Sequence, residues 1–259
     1  MITASQKSSA QQVQEAAAQD NSQQIRIVAG PGTGKSRIIE QRVAHLLSNG
    51  VSPQNLYVIS FTRATCAELE ERIKLYCSNL PCAQASTRVK VSTMHALALR
   101  ILSRANLLNS YPSTPKIIDD WEHTRIYDAE LAYFIGDTNT RASQVRLAYE
   151  TQWQTLNPQH LSQTQITQAE MQSFNVFHTT RTNHYSCVLP GELIYKCVDA
   201  LQQGALQTNQ IPQIDHLIVD EFQDLNACDQ EFVRLLCQNN TVLFVCGVKP
   251  PKIGPPFKL

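Results

Sequence analysis

Apolar residues along this chain fall into short unbroken runs, separated by longer stretches in which they recur every three or four positions. Gln24-Ile25-Arg26-Ile27-Val28, Leu56 to Phe61, Arg88 to Ser92, Asp215 to Val219 and Thr241 to Cys246 are runs of strand length. Between the first two, Ile38, Ile39, Val43, Leu46 and Leu47 share one face of a helix predicted from Ser36 to Leu47. A helix near Asp229 to Cys237 separates the last two. Strands alternating with amphipathic helices predict a parallel α/β sheet. From Ala105 to Gly204 strand patterns are scarce and helical ones prevail, as in Trp121 to Phe134 and Thr140 to Trp153. The expected organisation is therefore an α/β domain begun by residues 1–104, an α-helical insertion over 105–204, and completion of the domain by 205–247. Residues 1 to about 22 read as a polar lead with a short helix around Val13 to Ala18, and Gln152 to Gln172 as a solvated surface or loop. Residues 248–259 are proline-rich without hydrophobic period and read as a disordered or aberrant tail.

The length of 259 residues allows one medium domain or two small ones with ample core. Lysine plus arginine and aspartate plus glutamate both number 22, so no global field draws in a polyanion. The helical stretch is even acidic, with six basic residues against ten acidic ones. The eight cysteines contain no Cys-x-x-Cys pair, and no apolar run is long enough to cross a membrane. Reduced thiols inside a cell, in nucleus or cytoplasm, are expected. The spacing of His184, Cys187 and Cys197 fits an ordinary loop better than a metal site.

Two segments carry chemistry. Ala29-Gly30-Pro31-Gly32-Thr33-Gly34-Lys35-Ser36 comes directly after the first strand and opens the first amphipathic helix. Gly32 and Gly34 can take positive φ and turn backbone N–H groups inward around phosphates, at a helix N-terminus that already favours anions. Lys35 would reach the β and γ phosphates of ATP, and the Ser36 hydroxyl would bind Mg²⁺. Arg37 has two readings, a phosphate contact or a solvated side chain; a cation at a helix N-terminus is mildly unfavourable unless an anion joins it. The second segment, Ile218-Val219-Asp220-Glu221-Phe222-Gln223-Asp224, delivers two carboxylates at the end of a strand. That is the ligand edge of a parallel sheet. There Asp220 can hold Mg²⁺ through water and Glu221 can take a proton from an attacking water. Gln223 either positions that water, relays the state of the γ-phosphate, or caps the next helix.

Asp220-Glu221-Phe222-Gln223-Asp224 resembles the second motif of the UvrD/Rep group of superfamily 1 DNA helicases. Tyr57-Val58-Ile59-Ser60-Phe61-Thr62-Arg63-Ala64, with Ala67-Glu68-Leu69 shortly after it, resembles that family's motif Ia. Val91-Ser92-Thr93-Met94-His95-Ala96-Leu97-Ala98 is similar to the next DNA-contacting motif. Gln14 lies at the spacing of the glutamine that reads adenine, with Gln11 and Gln12 as close rivals. The resemblance implies a P-loop NTPase of RecA-like fold, with the helical subdomain inserted in its parallel sheet. It further implies single-stranded DNA held locally, Phe61 stacking on a base and Thr62, Arg63, Thr93 and His95 near the backbone, largely indifferent to sequence. Chemistry alone makes Phe61 a core residue at a strand end and His95 a helix-start residue.

The departures from the family are specific. Arg63-Ala64 replaces the usual Asn-Lys, and after Gly247 the pattern of motif III stops. Nothing matches the second RecA-like half, which in the family supplies an arginine finger, a group worth on the order of 10³ to 10⁵ in rate for related phosphoryl transfers. A second half from another chain would then complete the site. The alternative is a nucleotide-binding interaction module, or an inactive fragment. A P-loop kinase or GTPase is disfavoured, because neither a lid arginine cluster nor an Asn-Lys-x-Asp guanine reader is present.

Overall fold

A computed structural model describes residues 4–30, 32–237 and 240–248. Pro31, expected in the phosphate loop, and the proline-rich tail from residue 249 onward lie outside them. The chain divides into two compact units. The first takes the described residues up to Leu97, then Pro212–Leu225 and those from Val233 onward; the second takes Ala98–Ile211 with Asn226–Phe232.

The first unit is built on strands β1 (Gln24–Val28), β2 (Leu56–Ser60) and β3 (Lys90–Thr93), joined by two strands from late in the chain. Helix α1 (Ala4–Gln19) precedes β1, α2 (Lys35–Ser48) comes after it, and α3 (Arg63–Cys77) with the short α4 (Ala83–Ser86) links β2 to β3. After α5 (Met94–Arg104), the second unit begins. It holds β4 (Lys116–Ile117), α6 (Asp120–Glu122), a π-helical turn His123–Tyr127, α7 (Asp128–Ile135), α8 (Asn139–Thr155), α9 (Gln168–Tyr185), β5 (Cys187–Val188) and α10 (Glu192–Gln202). Strand β6 (His216–Val219), helix α11 (Ala227–Leu236) and β7 (Val242–Gly247) complete the order.

The five long strands form one sheet in the order β1-β7-β6-β2-β3, and every adjacent pair is parallel. Gln24 pairs with Leu243, Leu217 with both Leu243 and Tyr57, and Val58 with Val91. All five residues of β2 are buried, as strands covered on both faces require. On one face Ile25, Val58, Ile218 and Phe244 pack with Ile38, Ile39 and Val43 of α2 and Leu69 and Ile73 of α3. The apolar face predicted for the first helix is therefore its core face.

The second unit has its own core, Leu131, Val145, Trp153, Phe174, Phe177 and Leu189 among others. Strands there are as scarce as the sequence suggests, a small parallel pair of β4 and β5, but α9 begins at Gln168, inside the stretch read as surface or loop. Thr167 and Glu170 close a capping box at its start, each side chain accepting from the other's backbone N–H. In the first unit, α1 extends well beyond Val13 to Ala18. Its Ala- and Gln-rich composition favours helix without any strong periodic stripe. Among the described residues, no helix is long and apolar enough to cross a membrane.

Candidate nucleotide site

Val28, Gly247, Val219, Ser60 and Thr93 are the last residues of the five strands of the large sheet, so the segments leaving those strands gather at one edge. At that edge the Ala29 N–H donates to the Gly247 carbonyl at 2.9 Å, tying the glycine-rich loop to its neighbouring strand. Within the loop, both the hydroxyl and the N–H of Thr33 donate to Gly30 O, at 2.7 and 3.3 Å. Gly32 and Gly34 have φ of 72° and 90°, a region in which a Cβ is costly. Gly34 is also the N-cap of α2, and no side chain caps that helix. Its first-turn N–H groups are thus available to an anion.

Of the three candidate glutamines, the fold brings Gln14 to the loop. Its Nε2 donates to Thr33 O at 2.9 Å and stands 2.9 Å from where a Cβ on Gly34 would lie. Gln11 instead donates to Glu15, at 3.4 Å, and Gln12 is exposed.

Lys35 reaches across to Glu221 with 2.7 Å between Nζ and Oε2; the two side chains are 10% and 35% exposed. Gln223 Nε2 donates to the same carboxylate oxygen at 2.8 Å. Burial opposes the charge on Glu221, but the bonds from Lys35 and Gln223 outweigh it and hold its carboxyl below the usual range. Asp220 moves the other way: burial, and then the Glu221 charge, push its carboxyl up. Environment thus separates the acidities of two adjacent carboxyls, a pattern found where such groups take different chemical roles. Asp220 accepts from the Glu221 N–H at 3.0 Å and its own N–H donates to Ile59 O at 2.9 Å. Glu221 has φ of 49°, a strained value for a residue with a side chain. The other end of Gln223 accepts from the Val248 N–H at 2.9 Å, so this side chain bridges Glu221 to the end of β7 rather than capping a helix. Ser36 is half-buried in the first turn of α2. Arg37 is half-exposed, its guanidinium 4.4 Å over the Tyr76 ring and 3.4 Å from Glu40.

The second group of candidates lies at the ends of β2 and β3. Phe61 is 61% exposed, which removes the reading of it as a core residue. Thr62 and Arg63 are exposed beside it. The Thr62 hydroxyl is engaged as the N-cap of α3, accepting from the Thr65 N–H at 3.0 Å in a reciprocal capping box. Thr93 is buried, and its hydroxyl accepts from the Ala96 N–H at 3.2 Å. Burial lowers the pKa of half-buried His95, which favours a neutral imidazole.

Sequence reasoning missed Arg72 and Glu40. Arg72 binds the buried Glu40 carboxylate at 2.8 Å, and its charge favours ionised Asp220 against burial. No spacing signal joins residues on two different helices.

A phosphate loop between the first strand and helix of a parallel sheet, facing an Asp-Glu pair at the end of another strand, defines a RecA-like P-loop domain. The UvrD/REP helicase N-terminal domain family matches residues 10–248, and the chain belongs to it. The ATP-dependent DNA helicase PcrA of Leuconostoc citreum is 28% identical over 230 residues, 85% of this chain and 30% of that protein. The ATP-dependent DNA helicase SRS2 of Saccharomyces cerevisiae is 25% identical over 253 residues, 88% of this chain and 21% of that protein. DNA helicase II of Escherichia coli is 22% identical over 227 residues, 85% and 31% respectively. The chain thus spans about a third or less of the length of these relatives.

Proposed function

We propose that this chain is the ATP-binding half of a UvrD-type DNA helicase, holding Mg-ATP on the phosphate loop and single-stranded DNA beside it. The observation that carries the reading is the 2.7 Å contact between Lys35 and Glu221, which brings the two motifs into one site. The residues present fit the ligand. The uncapped start of α2 offers N–H donors, and the positive-φ glycines keep Cβ atoms out of the loop. Ser36 and Asp220 are the residues that would hold Mg²⁺, and Gln14 the one that would read adenine. Bound Mg-ATP supplies the phosphoryl group and the metal that neutralises its charge.

Lys35, now paired with Glu221, carries three donors and can turn one to phosphate. The Glu221 carboxylate, held at Oε2 by Gln223, can accept a proton from water. On the DNA side, exposed Phe61 offers a stacking face and Arg63 a cation at the start of α3, while neutral His95 contributes hydrogen bonding rather than charge. A second RecA-like half, supplied from another chain or a longer polypeptide, would bring the arginine that phosphoryl transfer needs.

The test is nucleotide titration and ATP hydrolysis by the purified chain, with and without single-stranded DNA. Lys35→Ala and Glu221→Gln serve as controls, and Phe61→Ala reports on DNA. Mg-ATP binding weakened by about 10- to 100-fold in Lys35→Ala, with DNA affinity lowered by about 1–3 kcal/mol in Phe61→Ala, is expected. Equal Mg-ATP affinity in the wild-type chain and Lys35→Ala would refute the assignment.

A further inference from the structure

We infer that Gly247 is a positioning residue for Gln223, and through it for Glu221. The end of β7 is where the two motifs meet the rest of the sheet: the Gly247 carbonyl accepts from the Ala29 N–H, and the next N–H, that of Val248, donates to Gln223 Oε1 at 2.9 Å. A Cβ added at Gly247 would collide with that same Oε1. The nearest backbone atom, Gln223 N, would sit at an ordinary 3.6 Å. The obstruction is therefore specific to the Gln223 side chain, which lies over Gly247 because no side chain is there. Gly247 is part of a strand and its φ is not positive, so conformational freedom does not account for a glycine here.

The consequence runs through three groups. Gln223 has two amide ends, and both are used: Oε1 on Val248 and Nε2 on Glu221. A methyl group at position 247 displaces Oε1, breaks the Val248 bond and withdraws Nε2 from the Glu221 carboxylate. The backbone just past β7 thereby sets whether the base is held, without touching nucleotide. The steric step depends only on the fold, whereas the role given to Glu221 rests on the proposed helicase function.

The experiment measures amide hydrogen exchange at Val248 and thermal midpoint in four chains without nucleotide: wild type, Gly247→Ala, Gln223→Ala and the double variant. Wild-type Mg-ATP affinity is measured in parallel and reports on the helicase reading alone. Gly247→Ala and Gln223→Ala are each expected to speed exchange at Val248 by about tenfold, the factor for loss of about 1.4 kcal/mol, with no further gain in the double variant. Gly247→Ala should also lower the thermal midpoint, and the double variant should melt no lower than Gln223→Ala alone. That comparison can be read even if Gly247→Ala alone folds poorly. Unchanged protection of Val248 in Gly247→Ala would overturn the inference, as would a double variant that melts below Gln223→Ala by as much as Gly247→Ala melts below wild type.

Discussion

Lys35 and Arg146 are both sequestered cations with a carboxylate oxygen 2.7 Å away, yet the two regions hold charge in opposite ways. Arg146, in the second unit, grips Asp128 with two nitrogens, at 2.7 and 3.1 Å, and Glu150 with a third, at 2.9 Å. All three side chains are at most 9% exposed. Among the described residues, Lys35 makes one ion pair, and its partner is 35% exposed. Distance alone does not separate a structural pair from a functional one. What does is how many bonds must break together, and whether water or a ligand can replace them.

The largest effect expected from that contrast is in the helical unit. Arg146→Ala strands two buried carboxylates, and burial already pushes Glu150 up against Arg146's pull. A loss of about 3–5 kcal/mol in the unfolding of that unit by urea is expected, with Mg-ATP affinity unchanged. The reverse profile belongs to Lys35→Ala. Losing a charge-assisted bond to phosphate should weaken Mg-ATP by about 10- to 100-fold while stability moves by less than about 1 kcal/mol. If both variants lose both properties, the contrast collapses.

Asp229 tests a third way of holding charge, a buried carboxylate held by a backbone donor. It accepts from the Asn226 N–H at 3.2 Å, and burial pushes its carboxyl up to about 6. Because the folded value lies above the unfolded 3.8, the stabilising contribution is full below about pH 4 and is lost as pH rises through 6. Asp229→Asn keeps an acceptor and removes the titration. It should raise stability at pH 7.5 by on the order of 2 kcal/mol and flatten the change between pH 4 and 6, read from urea midpoints. The smallest effect lies beside the exposed Phe61. Thr62→Ala should cost about 1 kcal/mol through the lost cap of α3, and Thr62→Ser should restore it.

The candidate nucleotide site was legible because its information is local. Eight consecutive residues define the phosphate loop, and the second motif comes after a strand recognisable from its own five residues. Order along the chain sufficed to put them at one sheet edge. What tertiary packing decides was not legible. Spacing put Gln14 only narrowly ahead of Gln11 and Gln12; the contact of its side chain with the glycine-rich loop separates them. Phe61 comes just after a fully buried strand, and its exposure depends on where the chain turns into α3. Helix α9 did carry a readable signal, Thr167 three residues before Glu170, which a glutamine-rich surround obscured. Strands of two residues, as in β4 and β5, are too short for any alternation to show.

The placement of β7 bears on how the protein comes into being on a ribosome. β1 emerges early, yet it lies at one edge of the sheet with β7 as its hydrogen-bonded neighbour, Gln24 against Leu243. Until residues 242–247 have been synthesised, the strand that launches the phosphate loop has no partner, and Ala29 lacks the carbonyl that anchors it. Such long-range parallel pairing forms slowly and leaves strand edges open meanwhile. The anchoring of the glycine-rich loop is therefore completed late, when the seventh strand takes its place between the first and the sixth.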